Sequence, residues 1–249
     1  MSKVSPTAVA RCPICRRQEA SGGLLRHTGH VIHRPTTITV RAVLCDMDGT
    51  LVDSTAVVEG VWAEFANRYG LDLNEILKTA HGRQTEPTVR AYGPPGIDVM
   101  AVSQELSAME LARLDGIVEV VGARAFVECL PPDRTALVTS SPRDLAALRM
   151  AAAGIAMPSV VVCADDVTKG KPDPECYLRA AEALGVDPAD AVVFEDAGAG
   201  VAAAVAAGVP TIVVGDLDGD VAPDLPHISD FNSIRALTAA DGSIELIFD

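Results

Sequence analysis

Five four-residue runs of mainly Val, Ile, Leu and Ala recur along this chain, at 42–45, 136–139, 159–162, 191–194 and 211–214. Between the last four lie stretches with apolar residues at helical spacing, 142–153, 174–184 and 200–207, closed by Gly154, Gly185 and Gly208. Runs that do not alternate polar with apolar are strands buried on both faces. Strands of that kind alternating with helices specify an α/β fold, a doubly wound parallel sheet between two helix layers. The chain is 249 residues long and 49% hydrophobic, ample for such a core. Aromatics make up only 4%, which suits close-packed strands and helices better than an aromatic binding surface.

The strand ends are polar in a particular way. The run 42–45 stops at Asp46-Met47-Asp48-Gly49-Thr50. In an open α/β sheet this places two carboxylates at the carboxyl edge, where such folds build their sites. Carboxylates this close are tolerated when a cation neutralises them or one holds a proton. Mg²⁺ takes oxygen ligands, using one or two carboxylates together with substrate phosphate. The local chemistry therefore points to metal-assisted phosphoryl transfer, with one carboxylate as nucleophile and its neighbour as acid/base. Run 136–139 ends in Thr139-Ser140-Ser141, and run 191–194 in Glu195-Asp196. Between them stands Lys169-Gly170-Lys171-Pro172-Asp173-Pro174.

Asp-x-Asp, then Thr/Ser, then Lys, then Glu-Asp resembles, in order and placement, the four motifs of the haloacid dehalogenase superfamily over residues 42–215. The resemblance implies that Asp46 is the nucleophile and Asp48 the acid/base. It implies that Thr139 binds a phosphoryl oxygen and that Lys171 neutralises the charge Asp46 and phosphate bring together. Mg²⁺ would be held by Asp46, the Asp48 backbone carbonyl and Asp196, with Glu195 a direct ligand or one step behind. Lys169 competes with Lys171, but the Lys-Pro-Asp-Pro context favours Lys171. Ser140 and Ser141 can contact substrate or cap the helix that starts near Pro142. Asp173 can cap the helix near Pro174, and Gly198 and Gly200 are close-packing residues. Dehalogenases of this superfamily lack a carboxylate two residues after the nucleophile, so Asp48 implies phosphate esters as substrates. One departure is Ala197, where relatives often carry Ser.

Residues 55–119 form a helical insert between the first two motifs. Val58, Val61, Trp62, Phe65 and Tyr69 mark one helix; further helical patterns run over 73–80, 86–92 and 99–114, with a break at Gly93-Pro94-Pro95-Gly96. In the resembled superfamily such a cap closes over the site and reads the leaving group. Within it, Ala80-His81-Gly82-Arg83-Gln84-Thr85-Glu86 is similar to the cap loop of sugar-phosphate and glycerol-phosphate phosphatases. His81, Gly82 and Arg83 are accordingly expected at the substrate, His81 having helix termination as its alternative. The resemblance implies a Mg²⁺-dependent phosphatase for a small phosphorylated sugar or polyol. A phosphomutase of the β-phosphoglucomutase type shares the motifs and is the alternative; a silent binding module has no use for the complete set.

Residues 1–37 are polar, without hydrophobic period, and set apart from a core expected over 38–54 and 120–249. Cys12, Cys15, His27, His30 and His33 offer zinc-ligand types, the alternative being a disordered tail. The net charge of −14 argues against general nucleic-acid or anionic-membrane binding. No run of about 18 apolar residues and no apolar N-terminal segment is present, so neither a transmembrane helix nor a secretory signal is expected. Of six cysteines, Cys45, Cys129, Cys163 and Cys176 lie in apolar contexts and read as reduced core residues of a cytoplasmic protein, expected to be a monomer or weak dimer.

Overall fold

The computed structural model of the protein describes residues 36–217 and 224–248. The expectations for Cys12, Cys15, His27, His30 and His33 lie outside those residues. The centre is a six-stranded sheet in which every neighbouring pair is parallel. Its strands are β2 (Ala42–Cys45), β5 (Thr135–Val138), β6 (Val160–Val162), β7 (Ala191–Glu195), β8 (Thr211–Val214) and β9 (His227–Ile228), in the order β6-β5-β2-β7-β8-β9. All residues of β2, β5, β7 and β8 are buried, the burial on two faces that an unbroken β-branched run requires. The fold is α/β.

Strand order positions the chemistry. β2 lies between β5 and β7, so the residues leaving β2 emerge between those leaving its two neighbours. The chain winds outward from β5 to β6 and returns to the far side of β2, which makes the carboxyl edge there a switch point. Helices α6 (Arg143–Ala152), α7 (Glu175–Leu184) and α8 (Gly198–Ala206) connect these strands. Tyr177, Ala180, Ala203 and Ala204 pack on one face. On the other face, α5 (Ala123–Cys129) sets Phe126 against Phe194 and Phe231, with ring centroids 5.2 and 4.8 Å away. Cys45, Cys163 and Cys176 are buried in these cores.

The insert is mounted by two short strands. β3 (Val52–Asp53) leads out of the sheet edge and β4 (Val118–Glu119) leads back, and the two pair antiparallel. Between them run α1 (Thr55–Tyr69), α2 (Leu73–Ala80), α3 (Thr85–Tyr92) and α4 (Val99–Ala112). They enclose a cluster of their own, built on Val61, Trp62, Phe65, Ile76, Val89 and Leu106. Asp72 and Asp98 cap α2 and α4 by accepting from Asn74 N at 2.9 Å and Ala101 N at 3.1 Å.

The core opens with two strands that belong to different sheets. Residues 38–45 do not run as one strand: the backbone bends at Arg41, and β1 (Thr36–Val40) belongs to a separate antiparallel sheet with β10 (Ile234–Thr238) and β11 (Ile244–Phe248). The change from alternating to continuous apolarity at Ala42 marks that switch. No helix among the described residues is long and apolar enough to cross a membrane.

Candidate active site

Three adjacent strands end at one place. Asp46 follows β2, its N–H donating to Phe194 O at 3.0 Å, which locks it beside β7. Thr139 follows β5, its N–H donating to Val162 O at 2.9 Å. Glu195 closes β7 and Asp196 follows. Carboxylate oxygens of Asp46, Glu195 and Asp196 lie within 4.8 Å of one another.

Lys171 enters from the loop before α7 and is 5% exposed. Its Nζ donates to Asp46 Oδ1 at 2.5 Å, Glu195 Oε1 at 2.7 Å and Val138 O at 3.2 Å, and stands 5.1 Å from the Tyr177 ring centroid. Burial alone would lower the Lys171 ammonium, but Asp46 and Glu195 outweigh it and hold it well above the usual range. Asp46 is pushed up by burial, which outweighs the opposing pull of Lys171. Lys169, by contrast, is exposed and pairs with Asp173 at 3.7 Å, while Asp173 accepts from Glu175 N at 3.1 Å, as a cap does.

Glu195 commits both oxygens to protein partners. Oε1 accepts from Lys171 and from Tyr177 OH at 3.4 Å, and Oε2 accepts from Ala197 N at 2.7 Å. Gly200, in the first turn of α8, gives it room: a Cβ there would lie 1.5 Å from Oε1. Asp196 accepts from Thr50 Oγ1 at 2.8 Å and packs so closely on Gly49 (φ 86°) that a Cβ would meet Oδ2 at 2.0 Å. Burial, with Glu195 adding repulsion, pushes its carboxyl up to about 8.

The donors suit a hard divalent cation. Three carboxylates face one ammonium, so two negative charges stand unbalanced once all three are ionised, and all the donors are oxygens. Asp196 also carries a pH prediction. Its folded-state value lies above the ordinary 3.8, so the folded chain holds an extra proton between about 4 and 8 and loses stability as pH rises through that window. Thermal melts in chelator should show this fall. A divalent cation should raise the melting temperature more near the top of the window than near its bottom, because there it has fewer bound protons to displace.

Asp48 points away from this cluster, into a pocket. Oδ1 accepts from Ser54 Oγ at 2.7 Å and Arg149 Nη1 at 2.9 Å, and Oδ2 accepts from Ser141 Oγ at 3.0 Å. Ser141 therefore holds Asp48 and caps nothing; the residue at the start of α6 is Pro142, without a side-chain cap. Ser140 Oγ donates to Gly82 O at 2.8 Å, joining core to insert. Gly82 (φ 71°) lies so near Ala197 that a Cβ would approach its methyl to 2.6 Å. Gln84 Nε2 donates to Ala164 O at 3.3 Å. His81 and Arg83 are exposed at the mouth, and Val58, Trp62 and Glu110 line the wall.

The pocket thus contains Asp46, Asp48, Thr139, Ser140, His81, Gly82, Arg83 and Asp196, while Lys171 and Glu195 sit behind it. Sequence reasoning missed Ser54, Arg149 and Glu110. Arg149 falls at helical spacing on the buried face of α6 with Leu145, Ala146 and Met150; Glu110 falls four residues after buried Leu106. A charge on an apolar stripe was the available signal. Burial pushes the Glu110 carboxyl up, Arg149 opposing.

The chain is similar to known proteins in sequence and in fold. Residues 40–208 match the family model described as haloacid dehalogenase-like hydrolase. The chain is 39% identical over 178 residues to hexitol phosphatase A of Escherichia coli (strain K12), covering 70% of this chain and 82% of that one. It is 31% identical over 234 residues to glycerol-1-phosphate phosphohydrolase 2 of Saccharomyces cerevisiae, covering 87% and 93%. In fold it resembles β-phosphoglucomutase from Clostridium difficile, with TM-score 0.68 at 19% identity over 79% of this chain and 93% of that one. On the family match and these identities, the chain belongs to the haloacid dehalogenase-like hydrolases.

Proposed function

We propose that this protein is a Mg²⁺-dependent phosphatase that hydrolyses phosphate esters of small sugars or polyols through a phosphorylated Asp46. The observation that carries the reading is the division of labour between two carboxylates two residues apart. Asp46 faces Lys171 and the acidic cluster, whereas Asp48 faces the pocket with three donors behind it. One is set to attack phosphorus and the other to handle a proton on the substrate side. Hexitol and glycerol-1-phosphate phosphatases among the relatives support the substrate class.

In this reading an Asp46 oxygen bonds to phosphorus as the bond to the leaving oxygen breaks. Asp48 gives that oxygen its proton. The Lys171 ammonium offsets the charge of Asp46 and phosphate, and the Thr139 hydroxyl donates to a phosphoryl oxygen. Asp48 then takes a proton from the water that attacks phosphorus, which frees phosphate and restores Asp46. Asp46, Asp196 and the Asp48 carbonyl would hold Mg²⁺, which supplies positive charge to the phosphoryl oxygens. Glu195 acts through Lys171, whose position it shares in fixing. Residues 55–119 act as a cap, with His81 and Arg83 at its rim and Val58 and Trp62 as an apolar wall toward the leaving group.

The test is phosphate release from hexitol phosphates, glycerol 1-phosphate, hexose 6-phosphates and nucleotides, with and without Mg²⁺. Mg²⁺-dependent turnover that favours polyol and sugar esters is expected. No release from any ester, together with isomerisation of β-glucose 1-phosphate in the presence of a bisphosphate, would replace the phosphatase by a mutase.

A further inference from the structure

In the chemistry above Arg149 is only one of three donors to Asp48. It is 2% exposed on α6, yet it reaches the pocket floor. Its Nη1 donates to Asp48 Oδ1 at 2.9 Å and stands 3.4 Å from Ser141 Oγ. Among the described residues its Nε and Nη2 have no hydrogen-bond partner. Buried donors are nearly always satisfied, so two idle donor groups on one guanidinium require an explanation. Nη2 faces Glu110 Oε1 of the insert at 3.8 Å, an ion pair just outside hydrogen-bond length.

The three groups form a line from the acid/base to the insert. Asp48 is held by donors from three places: Ser54 where the chain enters the insert, Ser141 after β5, and Arg149 on α6. The serine hydroxyls can rotate and donate elsewhere. The guanidinium is planar, stays charged and donates along fixed directions. Its orientation therefore determines that of the Asp48 carboxylate. Its other edge is left for Glu110, and movement of α4 by about 1 Å would complete that hydrogen bond.

We propose that Arg149 is a positioning residue for Asp48, and that Glu110 ties the guanidinium to the insert, so that the acid/base is aligned only when the insert sits against the core. The inference rests on the phosphatase reading. In the first step the Asp48 proton passes to the leaving oxygen as its bond to phosphorus breaks and the bond from Asp46 forms. Asp48 is left as a carboxylate facing Arg149. An alkoxide needs that proton, whereas p-nitrophenolate leaves without it. Misplacing Asp48 must therefore penalise alkyl phosphates selectively. Loss of general fold or of phosphate binding would penalise both kinds of ester alike.

The experiment measures kcat/KM, which covers the steps up to phosphorylation of Asp46, with glycerol 1-phosphate and with p-nitrophenyl phosphate at saturating Mg²⁺. The proteins are the wild type, Asp48→Asn as reference, Arg149→Met, Arg149→Lys and Glu110→Gln. Asp48→Asn and Arg149→Met are expected to lower kcat/KM for glycerol 1-phosphate by about 100-fold, and for the aryl ester by less than about 10-fold. Glu110→Gln should show the same bias at about 10-fold on the alkyl ester, and Arg149→Lys should retain more than Arg149→Met. Equal losses on the two esters, or no loss, in folded variants overturns the assignment. Should Arg149→Met fail to fold, the bias in Glu110→Gln and Arg149→Lys decides. A wild type that releases phosphate from neither ester defeats the phosphatase reading and this inference with it, an outcome distinct from unbiased loss.

Discussion

Asp46→Asn is expected to lower phosphate release by about 10⁴-fold or more while leaving the fold as stable as before, or more so. The two halves of this result have one cause. Asp46 is buried in a cluster of three carboxylates with a single lysine, and burial already pushes its carboxyl upward. An amide of the same shape removes one buried charge, and Lys171 keeps Glu195 as its partner. The site is thus strained electrostatically in the cation-free chain for the sake of the reaction. Activity and melting temperature in chelator, measured on the same preparation, check both halves. Retention of more than about 1% of wild-type turnover would remove Asp46 from the role of nucleophile.

Lys171→Met should be costly in both respects. It strands Asp46 and Glu195 in a buried setting without their counter-charge, a change that typically destabilises by about 3–5 kcal/mol. For a domain of this size the fall in melting temperature is on the order of 10 °C. Turnover should fall by roughly 10³-fold, because the charge that steadies phosphate against Asp46 is gone. The double variant Lys171→Met/Glu195→Gln separates the effects. Removing one stranded carboxylate should recover part of the stability and none of the activity. Recovery of both would mean that Lys171 serves the fold alone.

Much of the molecule was legible because its determinants are local. All five apolar runs read as buried on two faces and four of them are, the edge run 159–162 being only partly covered; the residue after each strand lies at the sheet edge by geometry alone. Asp46, Thr139 and Asp196 could be placed that way, and strand order did the rest. The β10–β11 sheet was not legible, since Ile234–Thr238 and Ile244–Phe248 acquire their role only by pairing with β1 at the other end of the chain. The bend at Arg41 left a trace in the change from alternating to continuous apolarity at Ala42, but that the two strands join different sheets follows only from their partners. The role of Ser141, and Arg149 altogether, escaped differently. Spacing could mark Arg149 as a charge on an apolar stripe, but the contacts of both residues with Asp48, 93 and 101 residues away in sequence, are not encoded by spacing. The loop at Gly82 was singled out for its side chains, yet its seat on the core uses the Gly82 carbonyl and the Gln84 amide, groups without a distinctive letter pattern.

The contact between Gly200 and Glu195 restricts which sequences remain open to this protein. The space a Cβ would need at position 200 is filled by the carboxylate that steadies Lys171, so no other residue enters there while Glu195 keeps its rotamer. Shortening Glu195 first would release position 200, but only by first unsettling the lysine. Glu195 blocks the first step and Lys171 opposes the second, so a side chain at position 200 comes only at the expense of the lysine's partner. Directed evolution toward new substrates would therefore find its freedom along the insert's pocket wall and mouth, and almost none at the start of α8.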